Sequence, residues 1–302
     1  MTSVSGSNKP SSVKIWLLAA RLRTLPAAVA PVLVGTALAS SLADKFSVLA
    51  FIATLAGSLL IQVGTNLAND YSDARRGADT EERLGPVRVT AGGLVPPSQV
   101  LLATYITFGL AVLVGIYLIS ISGWPLLIVG LLSILAGVLY TGGPRPYGYA
   151  GFGELFVFLF FGIVAVAGTY YVQTVEVSWQ AVELAVPVGL LASAILVVNN
   201  VRDIDTDRRA GKNTLAVRLG RERTRSLFAA MVLLSFPLAV VPAIWGDLNL
   251  WVLLSWLALP LALPLVKLVR THSDGPTLNE CLAKTGQVQL VFCLLLSVGI
   301  LI

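Results

Sequence analysis

The chain has 302 residues, of which 56% are apolar and only 12% charged, with a mean hydropathy of +0.83 and a net charge of +5. A soluble domain carries about 25% charged residues. The low charge, with apolar runs of about 20 residues recurring throughout, excludes a water-soluble globular protein and indicates a polytopic membrane protein.

In chain order, residues 1–20 read as a polar N-terminal tail that lacks the h-region and small-residue cleavage site of a signal peptide. Residues 21–302 read as a single transmembrane domain. Nine spans are predicted, at about 24–43, 46–69, 98–120, 124–140, 152–172, 179–200, 226–245, 249–267 and 284–302. The runs are continuously apolar and do not alternate, so they are helices and not barrel strands, and the fold class is all-α. Only Asp44-Lys45 separates the first two spans, and the span at 124–140 is short for a full crossing. Trp124, Trp179, Trp245 and Trp251 lie near span ends and read as interfacial anchors.

The basic residues are one-sided. The N-terminal segment and the even-numbered loops hold 20 of the 21 Lys and Arg, and the odd-numbered loops hold only Lys45. The positive-inside rule places the N-terminus and the even loops in the cytoplasm. The only cysteines are Cys281, beside the last span, and Cys293, within it, which leaves no basis for a disulfide or a thiolate metal site. His272, the only histidine, reads as a solvated loop residue, which excludes histidine-based catalysis.

The carboxylates concentrate at two span ends. The second span ends Asn66-Leu-Ala-Asn69-Asp70-Tyr71-Ser-Asp73, and the sixth ends Asn199-Asn200-Val-Arg202-Asp203-Ile-Asp205-Thr-Asp207. On a helix Asn66 and Asp70 share a face with Asp73 three residues on, and Asn199, Asp203 and Asp207 form an i, i+4, i+8 stripe. Like charges at that spacing cost a few tenths of a kcal/mol per pair. A carboxylate drawn toward the bilayer centre costs about 3 kcal/mol. A cation between the two clusters resolves both costs, and oxygen-only donors suit a hard ion such as Mg²⁺. The clusters also repeat. Asn66/Asp70 and Asn199/Asp203 are 133 residues apart, while Asp73-x3-Gly77-x-Asp79-Thr80 and Asp207-x3-Gly211-x-Asn213-Thr214 are 134 apart, a difference of one deleted residue in the first copy. The expectation is two four-helix halves plus a ninth helix, each half giving one acidic stripe to a shared cavity. Because Mg²⁺ is commonly completed by substrate phosphates, the ligand is a chelated pyrophosphate whose organic part, such as a polyprenyl chain, extends into the apolar interior.

From about Arg21 to the C-terminus these residues resemble the UbiA-type intramembrane prenyltransferases. The resemblance implies nine transmembrane helices and two aspartate-rich motifs, after the second and sixth, that bind Mg²⁺ and prenyl pyrophosphate. Carried over, it implies Asp70, Asp203 and Asp207 as catalytic metal-binding residues, with Asp73 as a further ligand. The second motif matches the family form at Asn199, Asp203 and Asp207. In the first, Ala74 occupies the last Asp slot, which leaves Asp73 and Asp79 as alternatives for completing the metal site. The segments Arg21-Leu-Arg23-Thr-Leu-Pro-Ala-Ala-Val-Ala-Pro-Val, Arg83-Leu-Gly-Pro-Val-Arg88, Tyr140-Thr-Gly-Gly-Pro-Arg-Pro-Tyr-Gly-Tyr149 and Thr277-Leu-Asn-Glu-Cys-Leu-Ala are similar to the 1,4-dihydroxy-2-naphthoate branch.

That branch implies transfer of a polyprenyl group from prenyl pyrophosphate to 1,4-dihydroxy-2-naphthoate, with loss of CO₂ and pyrophosphate, to give demethylmenaquinone at the bacterial cytoplasmic membrane. Asn66, Asn199, Tyr71, Arg23, Arg75, Arg145 and Lys212 are the implied substrate-binding residues. Arg145 and Lys212 are the candidates for the acceptor carboxylate. Relatives often carry Tyr-x3-Lys after the fourth helix, where this chain has Tyr140-x4-Arg145. The alternatives are another aromatic acceptor, such as 4-hydroxybenzoate, or a cation-coupled transporter. A transporter places its carboxylates at midplane on broken helices, whereas these sit at helix ends beside basic loops.

Overall fold

A computed structural model describes residues 11–78 and 84–302 of the chain. Asp79, Thr80 and Arg83, which belong to the motifs above, lie outside the described residues. Among those described, the helices are α1 (Ser12–Ala20), α2 (Pro26–Ala43), α3 (Val48–Arg75), α4 (Pro97–Ser122), α5 (Pro125–Leu139), α6 (Gly153–Thr174), α7 (Trp179–Arg209), α8 (Leu215–Leu219), α9 (Arg221–Ile244), α10 (Leu250–Thr271) and α11 (Gly275–Leu301). Eight of these are long and apolar enough to cross a membrane, and α5 is the shorter apolar helix expected at 124–140.

Local chemistry sets the boundaries. Pro26, Pro97 and Pro125 open their helices, where the missing N–H costs nothing. Ser47 and Ser178 cap α3 and α7 by accepting from the amides of Ala50 and Ala181, both at 3.3 Å. The last helix begins at Gly275 and not at 284, because the Asp274 carboxylate accepts from the Thr277 amide at 2.9 Å. Part of the segment read as a polar tail to residue 20 is helical. Residues Ser12–Ala20 form α1, which buries Ala19 in a small apolar cluster with Leu67, Val89, Val95 and Val100.

Helices α2 and α7 run through the centre, and the main core gathers Leu38, Leu184, Leu191, Phe228, Phe236, Phe292 and Leu296 from α2, α7, α9 and α11. Outward, Leu102, Tyr105, Ile106 and Leu113 on α4, Leu131 on α5, and Leu257 and Leu261 on α10 are exposed, as suits a surface solvated by lipid. Trp124, Trp179, Trp245 and Trp251 are exposed at the end of the bundle away from the acidic motifs. The basic even-numbered loops are tied to one another at the opposite end. The Asn213 amide donates to Tyr149 O at 2.9 Å, Arg218 to Ala150 O at 2.8 Å, and Asn279 Nδ2 to Leu84 O at 2.8 Å.

Candidate active site

Helices α3 and α7 both continue beyond the predicted span ends, so each acidic motif is helical to its last aspartate. Both then stop in the same way. The amide of Ala78 bonds to Asp73 O at 3.0 Å, and the amide of Lys212 bonds to Asp207 O at 2.9 Å. The intervening Gly77 and Gly211 take φ of +63° and +72°. This is a left-handed glycine stop on both helices. Asp73 and Asp207 are therefore equivalent, at a spacing of 134 residues.

That register corrects the repeat. A deleted residue inside a helix turns everything before it by about 100°, and α3 is an unbroken α-helix from Val48 to Arg75. The spacing of 134 thus holds upstream, where Asn69 matches Asp203, Asn66 matches Asn200, and Asp70 matches Ile204. Asn66, Asn69 and Asp73 line the central cavity with Asn199, Asn200, Asp203 and Asp207, whereas Asp70 does not. Its two oxygens accept from the backbone amides of Val89 and Thr90.

Each cavity carboxylate already meets a cation. Asp73 pairs with Arg88 at 3.3 Å and accepts from the Tyr149 hydroxyl at 2.5 Å. Asp203 receives Nε and Nη2 of Arg202 at 2.8 and 2.6 Å. Lys212 Nζ stands 3.9 Å from Asp207 and 4.8 Å over the Tyr149 ring. Asp73, Tyr149, Lys212 and Asp207 thus form a continuous link between the two halves. Arg202, 1% exposed, is held further by Asn199 Oδ1 at 2.9 Å and by Asn279 Oδ1, and Asn279 in turn donates to Leu84 O.

The cavity has a volume of about 450 Å³ and changes character along its length. At one end are Asp73, Arg88, Tyr149, Asp203, Asp207 and Lys212 with Arg21, Tyr140 and Thr141, and at the other are Ile116, Leu118, Leu126 and Val172. A widened π-helical turn at Phe158–Val164 lies in the α6 wall, where Phe156, Phe160 and Phe161 face the cavity. Burial pushes the Tyr147 phenol above its ordinary 10.0, so it stays protonated near neutral pH.

Of the residues singled out from sequence, the structure brings Asn66, Asp73, Asn199, Asp203, Asp207 and Lys212 into one cavity. It does not bring Asp70, Tyr71, Arg75, Arg23 or Arg145 there. Arg75 and Tyr71 bond to each other at 3.1 Å, and Arg23 and Arg145 are exposed. Sequence reasoning missed Asn69, Arg21, Arg88, Tyr149, Asn200 and Arg202 as site residues. Three of them stand in the segments that carried the resemblance, but their roles depend on contacts between distant loops.

The donor chemistry fits a hard divalent ion. The lining supplies carboxylate, amide and hydroxyl oxygens, and neither histidine nor cysteine. Among the described residues no group of three such carboxylates is already assembled around one point. The two halves present separate anionic ligands.

The cavity thus joins a charged end to a long apolar duct inside a bundle of membrane-spanning helices, as suits an integral-membrane enzyme of lipid-like substrates. The sequence profile of the UbiA prenyltransferase family matches residues 28–278, and the chain belongs to that family. It is 44% identical to the 1,4-dihydroxy-2-naphthoate octaprenyltransferase of Mycobacterium tuberculosis over 92% of this chain and 94% of the relative. It is 37% identical to the protein of the same name from Escherichia coli, over 96% of both chains. The fold matches a UbiA homolog from Archaeoglobus fulgidus bound to GPP and Mg²⁺, with a TM-score of 0.68 at 16% identity, over 95% of this chain and all of that one.

Proposed function

We propose that the chain transfers a polyprenyl group from polyprenyl pyrophosphate to 1,4-dihydroxy-2-naphthoate, releasing pyrophosphate and CO₂. The observation that carries the chemistry is the single cavity joining two acid-bearing helix ends to an aliphatic and aromatic duct. The acceptor is supported by the relatives of that name, which this chain matches along nearly its whole length. Asp73, Asp203 and Asp207, with Asn69 and Asn199, would hold Mg²⁺. When bound, the ion supplies Lewis-acid neutralisation of the pyrophosphate leaving group.

The chain's own residues do the rest. Arg88 sits beside Asp73 where the pyrophosphate charge must be neutralised, and a fixed cation of this kind acts most strongly where water is excluded. Phe156, Phe160 and Phe161 bury the prenyl chain and keep water from its allylic carbon. Tyr140, Tyr147 and Tyr149 line the boundary between head and tail, where an aromatic ring stabilises nearby positive charge by about 0.5–2 kcal/mol. As the C–O bond to pyrophosphate breaks, the ring attacks the allylic carbon. Loss of the carboxylate as CO₂ then returns its electron pair to the ring and leaves a prenylated naphthoquinol. Lys212 is the carboxylate candidate that faces the cavity.

The purified protein, given one prenyl pyrophosphate and carboxyl-labelled naphthoate, should release one labelled CO₂ per prenyl group transferred. Prenylation of 4-hydroxybenzoate with its carboxylate retained, and none of the naphthoate, overturns the acceptor assignment. The charge asymmetry supports a cytoplasmic location for the acidic ends. Single cysteines in the 210–220 loop of a cysteine-free variant should resist an impermeant thiol reagent in intact cells and react after lysis. Labelling of intact cells reverses the orientation.

A further inference from the structure

Asp70 carries the charge and spacing of a metal ligand, yet the structure gives it a different occupant. Its carboxylate is 2% exposed and lies outside the cavity lining. One oxygen accepts from the Val89 amide at 3.1 Å and the other from the Thr90 amide at 2.9 Å. These donors open a compact turn. The amide of Gly92 bonds to Arg88 O at 2.9 Å, that of Gly93 to Thr90 O at 3.0 Å, and that of Leu94 to Val89 O at 2.9 Å. Val89 and Val95 anchor the turn in the apolar cluster beneath α1. Arg88 directly precedes the two clamped amides and reaches Asp73, one helical turn beyond Asp70 on α3.

Helix α3 therefore grips the 88–95 turn at Asp70, and the turn returns an arginine to Asp73. The register points the same way. At the position of Asp70, α7 carries Ile204, which is 3% exposed and has no charge to offer an ion. A carboxylate also suits two adjacent N–H groups better than an amide does, because both of its oxygens accept. We propose that Asp70 is a positioning residue that clamps the 88–95 turn so that Arg88 meets Asp73 and the pyrophosphate, and that it touches neither ion nor substrate. The proposal rests on the prenyl-transfer reading for its kinetic consequence but not for the clamp itself.

The clamp is tested without turnover by hydrogen–deuterium exchange on the full-length protein in detergent. The Val89 and Thr90 amides should be protected in the wild type and exchange far faster in Asp70→Asn, whose side-chain NH₂ faces one of the two donors. Unprotected amides in the wild type overturn the clamp, whatever the reaction proves to be. Kinetically, Asp70→Asn and Arg88→Gln should each raise the KM for prenyl pyrophosphate about tenfold and lower kcat less, the size expected for one charge-assisted contact. The double variant should be no worse than Arg88→Gln alone, because the clamp acts through that arginine. The Mg²⁺ concentration for half-maximal rate should rise in Asp73→Asn and stay put in Asp70→Asn. A rise in Asp70→Asn equal to that in Asp73→Asn makes Asp70 an ion ligand and sinks the proposal, as do effects of Asp70→Asn and Arg88→Gln that multiply. Should Asp70→Asn fail to insert, Gly93→Ala loosens the same turn without touching Asp70, since Gly93 holds φ at +66°. It should give a milder KM increase at an unchanged Mg²⁺ requirement, and a raised Mg²⁺ requirement there also overturns the clamp.

Discussion

The ends of α3 and α7 carry the same aspartate over the same glycine stop, yet they are neutralised by different means. On α7, Asp207 meets Lys212 five residues later, and Asp203, at the position of Asn69, takes Arg202 from the neighbouring residue, buried and held on several sides. Asp73 on α3 takes its cation from a turn 15 residues later, and Arg88 is slightly more open and pairs at a longer distance. The α7 half thus draws its cations from its own helix and the turn that ends it, whereas the α3 half is complete only when the 88–95 turn is seated. The repeat keeps the aspartate and the glycine stop and leaves each half free to solve the burial of its charge.

The sharpest test of the equivalence is Asp73→Asn against Asp207→Asn. Each should lower turnover by about 100-fold or more, the scale for removing one preorganised electrostatic group. Rates of prenyl transfer in membranes with matched protein levels measure this, and a mild effect at either position breaks the symmetry. The difference in neutralisation appears in stability. Arg202→Gln strands a buried carboxylate and should cost about 3–5 kcal/mol, read as a lower unfolding temperature in detergent. Arg88→Gln should cost less, since its pair is more exposed and longer. An equal loss from both would show that the α3 half is as rigidly built as the α7 half.

The smallest effect lies at the start of α11, which carries Asn279 to Arg202. The backbone N–H of Thr277, followed by its side chain, holds the Asp274 carboxyl below its ordinary 3.8. A depressed carboxyl contributes stability above its unfolded pKa and loses it as pH falls through the folded value. Exchange at the Thr277 amide, corrected for its intrinsic rate, should therefore be unchanged from pH 7 to 5 and become faster below the ordinary carboxyl range. Protection unchanged down to pH 2 would remove Asp274 as the cap.

Much of this was legible in the sequence, for physical reasons. Apolar length alone located the eight described helices long enough to span and the shorter α5, and the Asp-x3-Gly pairs located the two helix ends that share a cavity. The stripe Asn199, Asp203 and Asp207 was readable because one helix face is a local property. Asp70 was expected in the cavity because two near-equal registers, 133 and 134, fit the same letters, and the structure leaves it outside the lining. Tyr149 was hidden because its partner Asp73 lies 76 residues away in the chain, and Arg88 because only the folded 88–95 turn returns it to Asp73, whereas Arg202 stood beside Asp203 and was passed over. Arg145, by contrast, had a suggestive position and is exposed.

The four tryptophans at the end opposite the acids have a mechanical consequence. Indole rings hold to the headgroup level, so that end of the bundle is pinned at a fixed depth. Hydrophobic mismatch with a thinner or thicker bilayer is then taken up at the other end, where long arginine and lysine side chains extend or fold back to follow the interface. The 88–95 turn and the loop bearing Lys212 lie at that adjusting end. Bilayer thickness thus bears directly on the elements proposed to meet the substrate head, and the aliphatic end of the duct stays in register with the membrane.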